Sequence, residues 1–187
     1  MKVDAVILAG GDGAVIDPEC RFKGLVSVCG RPMVEWVVDA FKSAELVSWA
    51  DRVDKLVVSD ASFMENVVAG VKSFRVDRPV LVATGDLPLL DGASIDAFVS
   101  AAMELGGDFS YPVIPRLDME SAFPGTKRTY VKLADGEVTG GNFMIVDPTL
   151  LPRATEIGQE MFDARKAPMS MAKILGLGFV AKLLVGR

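Results

Sequence analysis

Short runs of Val, Ile and Leu, bounded by Gly, Pro or Asp, alternate along the first hundred residues with longer stretches whose apolar positions recur at helical spacing. A strand apolar on both faces must be covered on both faces, so this alternation predicts an α/β domain with a mostly parallel mixed sheet. Val3 to Leu8 reads as the first strand, followed by a glycine loop over Gly10 to Gly13. Arg31-Pro32 opens a helix through about Lys42, because Pro suits a first turn and Met33, Val34, Val37, Val38 and Phe41 form one stripe. Strands are expected at Lys55 to Val58 and Val80 to Ala83, with helices at about Phe63 to Phe74 and Ser94 to Glu104.

Beyond Ser110 the pattern shortens to extended pieces at Tyr111 to Ile114, Tyr130 to Leu133 and Asn142 to Val146, with turns at Pro124-Gly125 and Asp135-Gly136. These read as an antiparallel addition to the sheet. Thr155 to Arg187 reads as helical and apolar, suited to packing on the domain or on a second copy of the chain. No linker or repeat divides the 187 residues, so one domain is expected.

Composition removes several mechanisms. There is no histidine, which excludes Ser-His-Asp and Cys-His catalysis and histidine-ligated zinc or haem. Cys20 and Cys29 are too few for a zinc site and fit no redox spacing. A formal net charge of −5 with no basic cluster argues against nucleic acid as a partner. Met1-Lys2-Val3-Asp4 enters the first strand with no secretory leader pattern, and no apolar run approaches the ~18 residues of a membrane span, so a cytoplasmic location is expected.

The segment Val6-Ile7-Leu8-Ala9-Gly10-Gly11-Asp12-Gly13 sets three glycines directly after a buried strand. Such a loop can turn successive amides toward phosphate oxygens, although a glycine turn kept for packing looks the same. It is not a P-loop, since no Gly-Lys-Ser/Thr follows, and the dinucleotide fingerprint fails at Ala14-Val15-Ile16.

A longer pattern is more specific: Leu8-Ala9-Gly10-Gly11-Asp12-Gly13, then Lys23-Gly24-Leu25, then Gly30-Arg31-Pro32-Met33. In order and spacing it resembles the amino-terminal signature of the MobA-like nucleotidyltransferases, which include molybdopterin-cofactor guanylyl- and cytidylyltransferases and sugar-phosphate nucleotidyltransferases. The resemblance implies a Rossmann-like, three-layer α/β/α (GT-A-like) fold. It also implies a nucleoside triphosphate bound by Leu8, Ala9, Gly10, Gly11, Asp12, Gly13 and Lys23. One position departs from the pattern: the arginine usual two residues after the loop is Val15 here, with Arg21 as a possible substitute.

Gly85-Asp86-Leu87-Pro88 ends the strand at Val80, where ligands bind in open α/β sheets. By the resemblance Asp86 is a magnesium ligand; the bland alternative is a turn or helix cap, the role assigned to Asp91. The same resemblance implies Asn142, after Thr139-Gly140-Gly141, as the second metal candidate; a turn-forming reading is about level, and the neighbouring Lys127 to Lys132 segment, which resembles the same subgroup, tilts the balance towards the metal. Asp60 is implied to accept from guanine, favouring GTP over CTP, and reads almost as well as the cap of the helix near Phe63; Glu65-Asn66 could also reach the base. Arg128 and Lys132, spaced to share one side of a strand, are candidates for holding the phosphate of an acceptor, or a solvated face.

The activity implied is attack by a phosphate oxygen of a phosphorylated acceptor on the α-phosphorus of a nucleoside triphosphate, with Mg²⁺ as cofactor and pyrophosphate as product. Such a nucleophile is already ionised near neutral pH, so no histidine base is required. The rival readings are a nucleotide-binding or regulatory domain of the same fold without turnover, and a nicotinamide oxidoreductase.

Overall fold

The computed structural model describes residues 2–48, 55, 61–74, 78–133 and 136–151. The strand expected at 55–58, apart from Lys55, together with Asp60 and the helical stretch expected at 155–187, lies outside them. The chain divides into two compact units; among the described residues these are 2–110 with 142–151, and 111–141.

The first unit is built on a sheet of β1 (Asp4–Leu8), β4 (Val80–Thr84), β9 (Phe143–Val146) and β5 (Phe109–Ser110), side by side in that order. β1 and β4 run parallel, from Asp4 opposite Val80 to Leu8 opposite Thr84. β9 lies antiparallel to both β4 and β5, which makes the sheet mixed. Upstream of β1, Val3 makes a parallel bridge to Val47.

β4 explains why its sequence is apolar without interruption. Successive side chains point to opposite faces. Leu81 and Ala83 join Val3, Val37, Phe41, Ile95 and Val99 in one cluster, under α1 (Met33–Ser43) and α3 (Gly92–Leu105). Val80 and Val82 join Val67, Val68 and Val71 in a second, under α2 (Phe63–Lys72). Val80, Leu81, Val82 and Ala83 are all buried, and the result is the helix, sheet, helix layering expected. Each large side chain fully buried here contributes roughly 1.5–3 kcal/mol relative to an exposed one.

Local chemistry sets the helix boundaries. α2 starts at a reciprocal cap: the Glu65 amide donates to Ser62 Oγ at 3.4 Å, and the Ser62 amide donates to Glu65 Oε2 at 2.8 Å. The cap considered for Asp60 therefore belongs to Ser62, and the Glu65 carboxylate is engaged there. Asn66 donates to the Ala61 carbonyl. α3 is capped by Asp91, which accepts from the Ser94 amide at 2.7 Å, as its position suggested. At Gly70 a Cβ would come within 2.8 Å of Val6 Cγ1, so only a glycine lets α2 lie this close to β1.

Two short strands, β2 (Ser27–Val28) and β3 (Arg31–Pro32), form a hairpin just before α1. Its turn places Cys29 and Gly30 at positive φ. α1 starts one residue later than the sequence suggests, with Pro32 as its cap residue.

The second unit corrects the expectation of an antiparallel addition to the main sheet. β6 (Val113–Pro115), β8 (Gly136–Gly140) and β7 (Val131–Leu133) form a separate antiparallel sheet, with β8 in the middle. Of the extended pieces expected beyond Ser110, only the last contributes to the main sheet, through Phe143–Val146 as β9. β8 was not anticipated, nor was the two-turn α4 (Arg116–Ala122). Arg116 fastens that helix to the sheet, bonding Glu120 at 2.6 Å and Glu137 on β8 at 2.7 Å. Among the described residues no helix is long and apolar enough to cross a membrane.

Candidate active site

The parallel pair β1 and β4 ends in two loops that emerge side by side. The Gly85 amide donates to the Leu8 carbonyl at 2.9 Å, extending the β1–β4 pairing one step beyond the strands. The one-turn 3-10 helix Lys23–Leu25 packs against the same place. A Cβ on Gly24 would sit 3.3 Å from the Ala9 carbonyl oxygen, and one on Gly85 would sit 3.1 Å from Ala9 Cα. Two bare backbones thus allow three chain segments to converge.

The glycine loop is held from behind by residues 20–23. Asp12 bridges Phe22 in antiparallel fashion, flanked by Lys23 amide to Gly11 carbonyl at 2.9 Å and Gly13 amide to Arg21 carbonyl at 3.2 Å. Gly11 sits at φ +100°, and a Cβ on Gly13 would overlap the backbone of Cys20 and Phe22. The Gly13 amide is therefore committed to the hairpin and is not available to a ligand. The amides of Gly10, Gly11 and Asp12 have no partner among the described residues. The Asp12 carboxylate accepts from the Ala14 amide at 3.0 Å and fixes the turn that follows. Val15 stands 82% exposed, and the Arg21 guanidinium stacks over the Phe22 ring, 5.1 Å from its centroid.

This convergence brings together two residues distant in sequence: the Lys23 ammonium forms an ion pair with the Asp86 carboxylate. Burial pushes the Asp86 pKa upward, but the Lys23 hydrogen bond, the neighbouring Thr84 hydroxyl, the lysine charge and the backbone together hold it below the ordinary carboxyl value. Asp86 is thus an anion at neutral pH. Thr84 Oγ1 is buried and makes no complete hydrogen bond, although it lies near enough to Asp86 to favour the ionised form. Sequence reasoning missed it, since a threonine at the end of a strand reads as β propensity.

The β4–β9 register sets Asn142 opposite Thr84, and the Thr84 amide donates to the Asn142 carbonyl at 3.1 Å. Asn142 therefore stands at the same end of the sheet as Asp86, two residues from it across the ladder. These are hard oxygen donors of the kind magnesium accepts, and magnesium commonly takes only one or two carboxylates, with phosphate oxygens and water completing its shell. The buried, unsatisfied Thr84 hydroxyl adds a polar group beside that position. Among the described residues no three His, Cys, Asp or Glu side chains cluster as a metal cage.

The second unit holds Arg128 and Lys132. The segment at 126–130 is not paired as strand and β7 begins only at Val131, so the alternation that would have put both cations on one strand face does not apply. Lys132 stands opposite Glu137 in the β7–β8 ladder. Arg128 lies close enough to Tyr111 for its charge to oppose the upward push of burial on that phenol. Tyr111 donates to the Gly141 carbonyl at 2.5 Å, and the Gly141 amide donates to the Pro112 carbonyl at 2.9 Å. A Cβ on Gly140 would overlap the Tyr111 hydroxyl, so this glycine serves close packing.

A family profile described as "MobA-like NTP transferase domain" matches residues 5–155, taking in β1, the glycine loop, Lys23, Asp86 and Asn142. The chain belongs to the MobA-like NTP transferase family. This MobA-like nucleotidyltransferase is also similar to a hypothetical transferase from Thermus thermophilus, with 34% identity and a TM-score of 0.80 over 100% of this chain and 83% of the other. A 4-diphosphocytidyl-2C-methyl-D-erythritol synthase from Anaerococcus prevotii shares the fold, at 12% identity and a TM-score of 0.59 over 84% of this chain and 75% of that one. In sequence, 127 residues are 29% identical to the bifunctional protein GlmU of Lactobacillus gasseri, covering 57% of this chain. The chain spans 26% of the length of that curated relative.

Proposed function

We propose that this MobA-like domain transfers an NMP group, from GTP in preference and CTP as the alternative, to a phosphorylated small-molecule acceptor, with magnesium as cofactor and release of pyrophosphate. The observation that carries the reading is the meeting of Lys23 and Asp86 where β1 and β4 end, beside loop amides that have no partner among the described residues. Amides of Gly10, Gly11 and Asp12 and the Lys23 ammonium bind the triphosphate. The backbone of Leu8 and Ala9 and the turn at Gly13 hold that loop in place. Magnesium, when bound, neutralises charge that develops on the α-phosphate. Asp86 and Asn142 hold the ion, and catalysis rests on positioning and charge stabilisation rather than on a side-chain base.

Arg128 and Lys132 are proposed to hold the acceptor's phosphate, and Asp60 to read the base. A single nucleotidyltransferase domain over residues 1–187 and a cytoplasmic location belong to the same reading; the family match over residues 5–155 supports the first of these. The expected outcome for Asp86→Ala is loss of pyrophosphate release with a correct acceptor, measured by a coupled phosphate assay. Turnover like that of the unchanged protein would refute the reading.

A second reading, nucleotide binding without turnover, is favoured by one observation: Val15 stands exposed at the position where the resemblance implies an arginine. The two readings separate in a panel of GTP, CTP, ATP and UTP with magnesium. A bound nucleotide at about 100 times its Kd stabilises the fold by about 2.7 kcal/mol, read as a rise in melting temperature. A shift accompanied by no pyrophosphate release from any acceptor would favour the second reading.

A further inference from the structure

The Lys23 ammonium, on a side chain that is partly in solvent, is directed onto the Asp86 carboxylate. Under the proposed function these two groups have separate tasks, the lysine on phosphate and the carboxylate on a divalent cation. An ammonium in contact with the carboxylate occupies one of its faces and repels an approaching dication. Among the described residues no three His, Cys, Asp or Glu side chains form a group that could hold the ion without Asp86. A triphosphate changes the balance, because it supplies anionic oxygens to the lysine and to the metal at once.

We propose that Lys23 is a resident counter-ion that keeps Asp86 closed to divalent cations until a nucleoside triphosphate draws the lysine away, so that metal and nucleotide enter together. The inference rests on the reading of Asp86 as a metal ligand and adds a second task to Lys23. Metal and nucleotide affinities are then linked, each raising the other by the same factor.

The test is Mn²⁺ titration followed by the electron paramagnetic resonance signal of the free ion, with and without GTP. In the absence of nucleotide, Lys23→Met is expected to bind Mn²⁺ at least tenfold more tightly than the unchanged protein. Lys23→Arg, which keeps the positive charge, stays weak. Lys23→Met combined with Asp86→Asn loses the gain. Lys23→Gln serves in place of Lys23→Met should circular dichroism show that variant unfolded. Equal Mn²⁺ affinity in the unchanged protein and Lys23→Met overturns the proposal; if GTP still recruits Mn²⁺ in a manner that needs Asp86, the magnesium reading survives that result. Mn²⁺ binding that never depends on Asp86, with or without GTP, overturns both.

Discussion

Asp86 gains its character from neighbours the sequence sets far from it. Its position at the end of a buried strand is plain in Val80-Leu81-Val82-Ala83-Thr84-Gly85-Asp86, but its contact with Lys23 is not. That contact depends on Gly24 and Gly85, where a methyl group would press on the backbone of Ala9. Because the Asp86 pKa is lowered in the folded chain, its ionised form stabilises the fold above the unfolded carboxyl pKa of ~3.9, and this contribution is lost as pH falls through the lower folded value. Both partners are partly in solvent, with 39% of the Lys23 side chain exposed and 23% of that of Asp86, so the pair is worth under ~1 kcal/mol. Lys23→Met is therefore expected to be slightly less stable than the unchanged chain in urea titrations at pH 7. The gap should close at acid pH, below both carboxyl values.

The elements divide by how much of each is buried. β1, β4, α1 and α3 were legible because their apolar positions answer to the core: α1 buries Met33, Val37, Ala40 and Phe41 at helical spacing. The small sheet of the second unit was not legible as a sheet. Its strands are three to five residues long and mostly exposed, and α4 buries only Met119, so hydrophobic period had little to report. The reading of Arg128 and Lys132 as strand neighbours failed for that reason. Capping was half legible. Asp91 is legible as a cap from its place ahead of α3, whereas the reciprocal Ser62–Glu65 pair shows only in the structure. Ser62→Ala should lower stability by about 1 kcal/mol, measured by chemical denaturation. α2 carries Val67, Val68 and Val71 into the core, so the loss reaches the whole first unit.

At the scale of the molecule, the first unit takes stability from two apolar layers that share one strand. Leu81 is fully buried in the layer under α1 and α3. Leu81→Ala is expected to cost about 2–5 kcal/mol in equilibrium unfolding. The sharing has another effect. Since Leu81 and Ala83 belong to one layer and Val80 and Val82 to the other, a slip of one residue would exchange the two sets and put side chains of the wrong volume into both clusters. β4 therefore works as a ruler whose zero is set in the protein's interior: Asp86 can stand only where the valines allow it. A one-residue insertion ahead of Val80 leaves the distance from the buried strand to Asp86 unchanged, whereas one between Ala83 and Asp86 displaces the carboxylate by about 3.3 Å, a strand step. Length is free on one side of the strand and rationed on the other.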